Sequence, residues 1–263
     1  MRIDEVKTIN AFVAVFDILA FKILRGQKTT AGLFQLYVNG ILPGIQHAAA
    51  GRGKVIQQNG RNLYVPDPGP TSVNAMVFSD TIVMWVPGET FDCFLRILRA
   101  AYDLTKFGFV GHGALLRGGI GHGDFVPNSS DILVGSAIEN AHQFEMSQVW
   151  SGCGFSEECE SYIKTHGFRE KLESLKNDAN QAPNTTKKGL PAMMIVDYDI
   201  PIQKLSKYGP VVYTRVPGLA LDWTIQMYEG AAKKAFPPTT DPHARQIAEN
   251  TTTFEEWARK NNR

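Results

Sequence analysis

The chain has 263 residues, of which 43% are hydrophobic and 20% are charged, so its length suits one large domain or two small ones. Its 24 glycines and 14 prolines are close to ordinary usage, which excludes collagen-like, low-complexity and largely disordered proteins. The 27 Lys and Arg residues nearly balance the 26 Asp and Glu residues, for a formal net charge of +1. Because proteins that bind duplex nucleic acid usually carry a basic excess, we expect no nucleic acid partner.

The cysteines and the apolar runs predict a cytoplasmic protein. Cys93, Cys153 and Cys159 are odd in number and form no CxxC pair, which argues against a disulfide framework and a zinc knuckle. Asp4 and Glu5 stand where an export signal would carry positive charge. No apolar run approaches the roughly 18 residues that cross a bilayer, so we expect no contact with a membrane.

The first predicted elements are a buried strand, a helix and a hairpin. Residues 11–16 form an unbroken apolar run, AFVAVF, whose Val and Phe content favours a strand buried on both faces. The Thr29-Thr30 pair offers an N-cap for a helix that ends near residues 43–44. The dipeptide Asn59-Gly60 predicts a two-residue hairpin turn within an exposed arm near residues 51–70.

The middle of the chain predicts a second hairpin, followed by alternating helices and a strand. Two β-prone runs flank Ser79 and Asp80, which places the Asp80 carboxylate in a tight turn. Thr90 can cap the helix that follows. The glycines of the next strand indicate a bulge or a close backbone approach. The ranges are 73–78 and 81–86 for the hairpin, 113–126 for the glycine-rich strand, and 136–148 and 156 onward for two helices.

The last third of the sequence completes the same domain, whose core we place in residues 1–175. Residues 176–189 are polar and predict an exposed loop. Residues 192–200 and 219–225 read as strands, and residues 241–260 as an amphipathic helix. The order of these elements predicts an α+β sandwich, in which helices cover one face of a mainly antiparallel sheet.

Two carboxylates interrupt apolar strand contexts, Asp17 in VFDILAF and Asp80 in VFSDTIV. If their strands are neighbours, the repulsion between them, on the order of 1–4 kcal/mol at about 4 Å, raises one pKa. A divalent cation between them removes this cost, and such oxygen ligands suit Mg²⁺ or Mn²⁺. Taken singly, Asp80 also fits a turn residue that bonds its own backbone, and Asp17 an N-cap at the strand exit.

The order and approximate spacing of four motifs resemble the class III nucleotidyl cyclases. The motifs are FDILAF at 16–21, FSDTIV at 78–83, RGGI at 117–120, and the segment from Gly135 to AHQFE at 141–145. Within that superfamily the chain looks most like the pyrimidine cyclases of bacterial antiphage defence, the Pycsar cyclases. The resemblance covers about residues 12–145, and it implies a ferredoxin-like sandwich with a C-terminal extension.

The resemblance implies a two-metal site that converts UTP to 3′,5′-cyclic UMP and pyrophosphate, with CTP as the next substrate. Asp17 and Asp80 would bridge two Mn²⁺ or Mg²⁺ ions, and the carbonyl of Ile18 would be a further ligand. In such a site the ribose 3′-hydroxyl attacks the α-phosphorus in line and pyrophosphate leaves.

Four further residues are expected to contact the substrate. Backbone N–H groups through Phe21 would hold the triphosphate, and Lys22 would add a charge unless it is an ordinary surface lysine. Arg117 would reach a phosphate or form a structural ion pair. Met76 stands, by spacing, where purine cyclases carry the Lys or Glu that reads the base, and it cannot select adenine or guanine by charge. His122 is assigned no role.

Met76 is one departure from the pattern of the cyclases that the chain resembles. A second departure lies on the helix after Gly135, where many cyclases carry an Asn and an Arg that stabilise the transition state. Glu139 and Gln143 stand there instead. Another basic residue could substitute, and the choices are Arg25, Arg52, Arg61 and Arg117. The alternative is a catalytically degenerate module that binds a nucleotide or a protein. A third interpretation is a phosphodiesterase or polymerase-like enzyme, against which the RGGI and AHQFE segments speak.

The resemblance also implies a C2 homodimer with active sites between the subunits. The arm near 51–70 could reach across to the partner's pocket through Arg52, Lys54, Arg61 and Tyr64, or it could be an ordinary solvated loop. The cyclic product would be sensed by a separate effector protein.

Overall fold

A computed structural model describes most of the chain, in ranges separated by gaps. The described residues are 7–19, 21, 29–50, 53–58, 61–66, 73–107, 109, 115–127, 133–181, 194–204, 212–225, 227–236 and 238–261. The strands are β1 Ile9–Ile18, β2 Gly53–Gln58, β3 Arg61–Pro66, β4 Asn74–Phe78, β5 Thr81–Pro87, β6 Leu116–Pro127, β7 Leu133–Val134, β8 Gly152–Phe155, β9 Ile195–Lys204 and β10 Val212–Leu221. The helices are α1 Thr30–Leu36, α2 Leu42–Ala50, α3 Phe91–Phe107, α4 Ser136–Ser147, α5 Glu157–Thr165, α6 Phe168–Gln181, α7 Ala231–Ala235 and α8 Pro242–Asn261.

The main sheet has eight strands in the order β4-β5-β1-β6-β8-β10-β9, with β7 paired to β6. Its pairs are antiparallel except for β6 and β8, so the predicted α+β architecture and mainly antiparallel sheet are confirmed. β2 and β3 form a separate hairpin in which Gln58 pairs with Arg61, as the Asn59-Gly60 dipeptide predicts. The side chains of this arm lie outside the described residues, so its exposure stays a prediction.

β1 lies between β5 and β6, and its residues 11–16 are buried on both faces, as predicted. On one face Phe12 and Phe16 share a core with Phe94 of α3. On the other face Val13 and Val15 share a core with the alanines of α4. Since side chains alternate along a strand, the two cores must lie on opposite sides of the sheet.

Helices therefore cover parts of both faces, which corrects the expectation of a single covered face. The glycines of β6 explain why. A Cβ added to Gly119 would lie 2.2 Å from the Ala141 carbonyl oxygen, and one added to Gly121 would lie 2.3 Å from that of Ala137. Because these positions carry no side chain, the backbone of α4 rests directly on the strand, as the predicted close approach requires.

The first helical region is longer than the sequence predicts. Thr29 caps it as expected, since its Oγ1 accepts the Gly32 N–H at 3.1 Å. Beyond α1, however, the chain forms a π-helical segment, Tyr37–Ile41, and continues through α2 to Ala50. The predicted end near residues 43–44 is wrong because Pro43 stands in the first turn of α2, where a missing N–H costs little.

Two C-terminal boundaries also differ from expectation. α6 extends to Gln181, so residues 176–181 are helical, while 182–189 lie outside the described residues. β10 occupies Val212–Leu221, and the chain turns after Leu221, so the strand predicted at 219–225 begins earlier and ends sooner. The predicted C-terminal helix is confirmed by α8. Across the described ranges, no helix is long and apolar enough to cross a membrane.

Candidate active site

The two predicted metal carboxylates meet at one end of the sheet. Asp17 stands near the end of β1, opposite Thr81 of β5 and Arg117 of β6. Asp80 directly precedes Thr81 in the turn between β4 and β5, and its carbonyl accepts the N–H of Ile18 at 3.1 Å. The β1 terminus and the hairpin turn are thus joined by a main-chain bond, which keeps the two aspartates next to each other.

The electrostatic environment of Asp17 disfavours the charged form of its carboxyl. Burial raises the pKa of the Asp17 carboxyl, the nearby charge of Arg117 opposes that effect, and the charge of Asp80 raises the pKa further. Even so, the Asp17 side chain remains 30% exposed, so it is open to a ligand.

A tyrosine of the first helical region also belongs to this site. The Tyr37 hydroxyl, in the π-helical segment, donates a hydrogen bond to the Ser79 carbonyl in the turn that carries Asp80. Burial raises the pKa of Tyr37 to about 12, with smaller contributions from the charges of Asp80 and Asp17. Tyr37 therefore remains a neutral donor and tethers the turn. No sequence signal distinguished it from other helix residues, since the contact spans 42 positions.

Arg117 lies between the aspartates and helix α4. Its Nε donates to the Glu145 carboxylate at 2.6 Å, and its Nη1 donates to the Gln148 carbonyl at 3.1 Å. Its Nη2 lies 3.7 Å from an Oδ atom of Asp17. The structural ion pair allowed by the sequence is thus present, and the same guanidinium also faces the predicted metal ligands.

Two α4 side chains complete the cluster. Glu145 is 2% exposed, and burial raises the pKa of its carboxyl while the Arg117 charge opposes that shift. His142 is half-exposed, with Nδ1 3.5 Å from the second Glu145 oxygen. The signal for Glu145 was present in the sequence, because it follows Ala137 and Ala141 at four-residue spacing and so falls on the buried stripe of the helix.

The described residues fit a divalent cation at this position. Arg117 is shared between Asp17 and Glu145, and the charge of Asp80 acts on Asp17 from the other side. Carboxylate oxygens are the ligands that Mg²⁺ and Mn²⁺ prefer. No grouping of three or more His, Cys, Asp or Glu side chains that could hold a metal occurs within the described ranges. Asp17 and Asp80 would therefore need main-chain or substrate oxygens to complete a coordination shell, and Ile18 supplies the nearest predicted carbonyl.

Of the remaining predicted substrate contacts, the structure describes Phe21 and Met76 but not Lys22. Phe21 is half-buried, with its ring centroid 6.3 Å from that of Tyr37 in an edge-on arrangement. Met76 pairs with Val83, which pairs with Val15, so Met76 shares the sheet face of Asp17. Lys22 lies outside the described residues.

The cation expected on α4 is absent at the two positions singled out by the sequence. Glu139 and Gln143 are exposed and bonded to each other, with Gln143 Nε2 donating to Glu139 Oε1 at 3.0 Å. Of the basic residues that could substitute, Arg25 and Arg52 lie outside the described residues, as does the side chain of Arg61. Of these candidates, Arg117 is the one whose side chain is described, and it lies beside Asp17.

Comparisons with known proteins returned solved structures and nothing else. No protein-family model and no curated protein matches the chain. The monomeric guanylyl cyclase domain of the RhoGC fusion protein from Blastocladiella emersonii is 16% identical, with a TM-score of 0.45, over 61% of this chain and 89% of that one.

Two further solved structures are 12% identical to the chain. The adenylyl cyclase CyaB from P. aeruginosa has a TM-score of 0.46, over 82% of this chain and 95% of that one. The guanylate cyclase domain of RhGC from Catenaria anguillulae, in complex with GTP, has a TM-score of 0.47, over 82% of this chain and 98% of that one. At these scores the similarity does not determine what this chain does.

Proposed function

We propose that the chain is a metal-dependent nucleotidyl cyclase that converts UTP to 3′,5′-cyclic UMP and pyrophosphate, with CTP as the alternative substrate. One observation carries the proposal: the bond between the Ile18 N–H and the Asp80 carbonyl brings Asp17 and Asp80 together, and the charge of Asp80 raises the pKa of Asp17. Two half-buried acids that repel each other have no structural benefit, whereas a bound cation makes them favourable.

Different residues of the chain would bind the metal ions and the triphosphate. Asp17, Asp80 and the Ile18 carbonyl would hold the ions, which when bound lower the pKa of the ribose 3′-hydroxyl and offset the triphosphate charge. In the reaction, that hydroxyl loses its proton and forms a bond to the α-phosphorus as the bond to pyrophosphate breaks. Arg117, held by Glu145, would direct its remaining N–H groups toward the phosphates.

The pyrimidine preference is supported by Met76 together with the motif resemblance. Met76 lies on the sheet face of the carboxylates, two strands from β1. A thioether offers an apolar contact to a ring but no charge or strong hydrogen bond for the edge of a purine. The role in antiphage defence, with a separate effector that senses the product, follows from the resemblance alone.

A homodimer with sites at the subunit interface is part of the same proposal. Phe78, next to the turn that carries Asp80, is 79% exposed, and Phe34, Val38 and Leu42 are exposed on the helical region that contributes Tyr37. Exposed large apolar side chains beside a polar site are typical of a surface that another protein covers. The Phe78→Glu variant should shift the chain from dimer to monomer in light scattering and lower turnover; an unchanged mass would contradict this assembly.

The decisive experiment incubates the purified chain with each of the four ribonucleoside triphosphates and Mn²⁺, then with Mg²⁺, and identifies products by chromatography and mass. A cyclic monophosphate and pyrophosphate from UTP or CTP supports the proposal. Product only from ATP or GTP would overturn the pyrimidine assignment and leave a cyclase. Nucleotide binding without turnover would favour a non-catalytic module, for which the paired Glu139 and Gln143 are the supporting observation.

A further inference from the structure

Helix α4 carries one side chain that can bear a positive charge. Its sequence, SAIENAHQFEMS, holds no Lys or Arg, and His142 is its only histidine. Half of the His142 side chain is open to solvent, whereas Glu145 on the same helix is buried. His142 is therefore the accessible basic group of the helix that packs on β1 and β6 beside the carboxylate pair.

His142 lies on the side of α4 that faces β1 and β5. Ile138, four positions earlier, packs against the apolar cluster that β1 and β5 form with the helix. Glu145, three positions later, reaches Arg117 near the start of β6. Because residues three and four apart share one side of a helix, both neighbours place His142 on the side of Asp17.

A series of charged contacts links His142 to Asp17. The His142 Nδ1 lies 3.5 Å from one oxygen of Glu145, and the other oxygen accepts the Arg117 Nε–H at 2.6 Å. Arg117 Nη2 lies 3.7 Å from an Oδ atom of Asp17. Burial raises the pKa of the Asp17 carboxyl, and the charges of Arg117 and of protonated His142 oppose that shift. His142 is thus close enough for its charge to act on the candidate metal ligand.

Arg117 and His142 differ in the N–H groups that they have left for a substrate. Arg117 is only 13% exposed, and it donates to Glu145 and to the Gln148 carbonyl. A protonated imidazole has two donors, so His142 can direct Nδ1–H toward Glu145 and keep Nε2–H for another group. Within the described ranges, His142 Nε2 forms no hydrogen bond.

The proposed reaction needs a positive group beside the phosphates. As the bond between the α-phosphorus and pyrophosphate breaks, negative charge collects on the departing pyrophosphate. A cation already held in place stabilises that charge more than it stabilises the bound substrate, and so it accelerates the reaction. Because the charge of His142 acts on Asp17, it would also act on phosphates bound to ions at Asp17.

We propose that His142 is a catalytic residue of the cyclase, whose Nε2–H donates to an oxygen of the pyrophosphate leaving group while Nδ1–H faces Glu145. This inference rests on the proposed function. The balance of the reaction is unchanged: the 3′-hydroxyl loses its proton and bonds to the α-phosphorus, pyrophosphate leaves with the electron pair, and His142 keeps its proton. His142 thereby supplies the positive charge that Glu139 and Gln143 do not.

The first test compares the cyclisation of UTP and CTP by His142→Gln and His142→Arg. Gln keeps an N–H donor but has no charge, so kcat should fall by about tenfold or more with a smaller change in KM. Arg restores a positive charge and should recover most of the lost activity. The matched control is His166→Gln, which changes an exposed histidine after α5, on the other face of the sheet from Asp17. Circular dichroism melting checks that each variant is folded.

The second test is calorimetric titration with inorganic tripolyphosphate in the presence of Mg²⁺, a probe that shares only the phosphates of the substrate. His142→Gln should bind it about threefold or more weakly than the unmodified chain, and His166→Gln should bind it equally well.

The outcomes separate this inference from the proposed function. If the unmodified chain forms a cyclic product and His142→Gln is equally active, or if His142→Arg recovers nothing, the role of His142 is overturned and the cyclase stands. If no nucleotide gives a cyclic product, the proposed function fails and tripolyphosphate decides the contact. Weaker binding by His142→Gln would then support the contact between His142 and phosphates, and equal or absent binding would overturn it.

Discussion

The N–H of Ile18 and the carbonyl of Asp80 form a 3.1 Å hydrogen bond that joins the end of β1 to the turn before β5. The two aspartates are 63 positions apart in the chain, yet this bond and the pairing of Asp17 with Thr81 leave them adjacent. The proposed metal site depends on this adjacency.

Replacement of either aspartate by asparagine should abolish cyclase activity. Asp17→Asn and Asp80→Asn each remove a charged metal ligand, so product formation should fall by about a hundredfold or more. Burial and the charge of Asp80 both disfavour the charged form of Asp17, so replacing Asp17 by a neutral residue should not lower the melting temperature. The assay is pyrophosphate release, with circular dichroism as a check of folding. Asp199→Asn, on an exposed part of β9, is the control, and retained activity in either site variant would contradict the assignment.

The Arg117–Glu145 pair should be a strong determinant of stability. Both side chains are largely buried, 13% and 2% exposed, so removing one partner leaves an uncompensated charge. Glu145→Gln should lower the free energy of unfolding by about 3 kcal/mol. In a double-mutant cycle with Arg117→Gln, urea denaturation should give a coupling energy above about 1 kcal/mol.

The matched control for that cycle is the exposed ion pair between Arg169 and Asp197, whose side chains are 46% and 71% exposed. Asp197→Asn should cost less than about 1 kcal/mol, since water screens this pair. Equal costs for the two pairs would show that burial does not govern the effect at Glu145.

Gly119→Ala should destabilise the protein by about 3 kcal/mol or more. Its Cβ would lie 2.2 Å from a backbone oxygen of α4, and backbone cannot move aside as a side chain can. Gly218→Ala in β10 is the control, because there the nearest atom is an Oε of Glu160, at 2.9 Å, on a flexible side chain. Chemical denaturation distinguishes the two, and a Gly119→Ala variant as stable as Gly218→Ala would contradict the predicted contact.

Stability should depend on pH through His122. Burial lowers its pKa in the folded state, Glu89 opposes that shift and His166 adds to it, so the unfolded chain binds the proton more tightly. The contribution of His122 is therefore complete above the unfolded pKa of about 6.5 and is lost as pH falls below it toward the folded pKa. The difference in unfolding free energy between the unmodified chain and His122→Phe should shrink from pH 7.5 to pH 5.5. A constant difference would show that His122 does not titrate differently on folding.

Tyr37 should act as a positioning residue. Tyr37→Phe keeps the ring against Phe21 but removes the hydroxyl that donates to the Ser79 carbonyl, at a cost of about 1 kcal/mol. Because the turn carries Asp80, we expect a several-fold higher requirement for Mn²⁺ in the activity assay, with a smaller change at saturating metal. Tyr213→Phe, an exposed tyrosine of β10, is the control. An unchanged metal dependence would mean that the turn needs no tether.

The elements that the sequence predicted well are those with a strong local pattern. The apolar run at 11–16, the Asn59-Gly60 turn and the Thr90 cap each specify their structure over a few residues, and each is present. The proximity of Asp17 and Asp80 was predicted on the condition that their strands are neighbours, and β1 and β5 do pair. Tyr37 was not, since its contact is formed only after the helical region folds against the β4–β5 turn.

The errors have physical causes that sequence patterns do not report. Pro43 was read as a helix end, but it stands in a first turn, where proline is tolerated. The β6 glycines were read as a bulge or a close approach without a partner, so the second covered face of the sheet was missed. A helix that approaches glycine does so through its backbone and small side chains, and these carry little hydrophobic signal.

The close packing of α4 on Gly119 and Gly121 also affects the site proposed at Asp17 and Asp80. Gly119 and Gly121 lie directly against the main chain of α4, and Glu145 of the same helix forms the ion pair with Arg117. A methyl group added at either glycine would push α4 away from the sheet. The Glu145 carboxylate would then move away from the Arg117 guanidinium. Two glycines, which contribute no charge themselves, thus influence the charges around the aspartates through the position of α4.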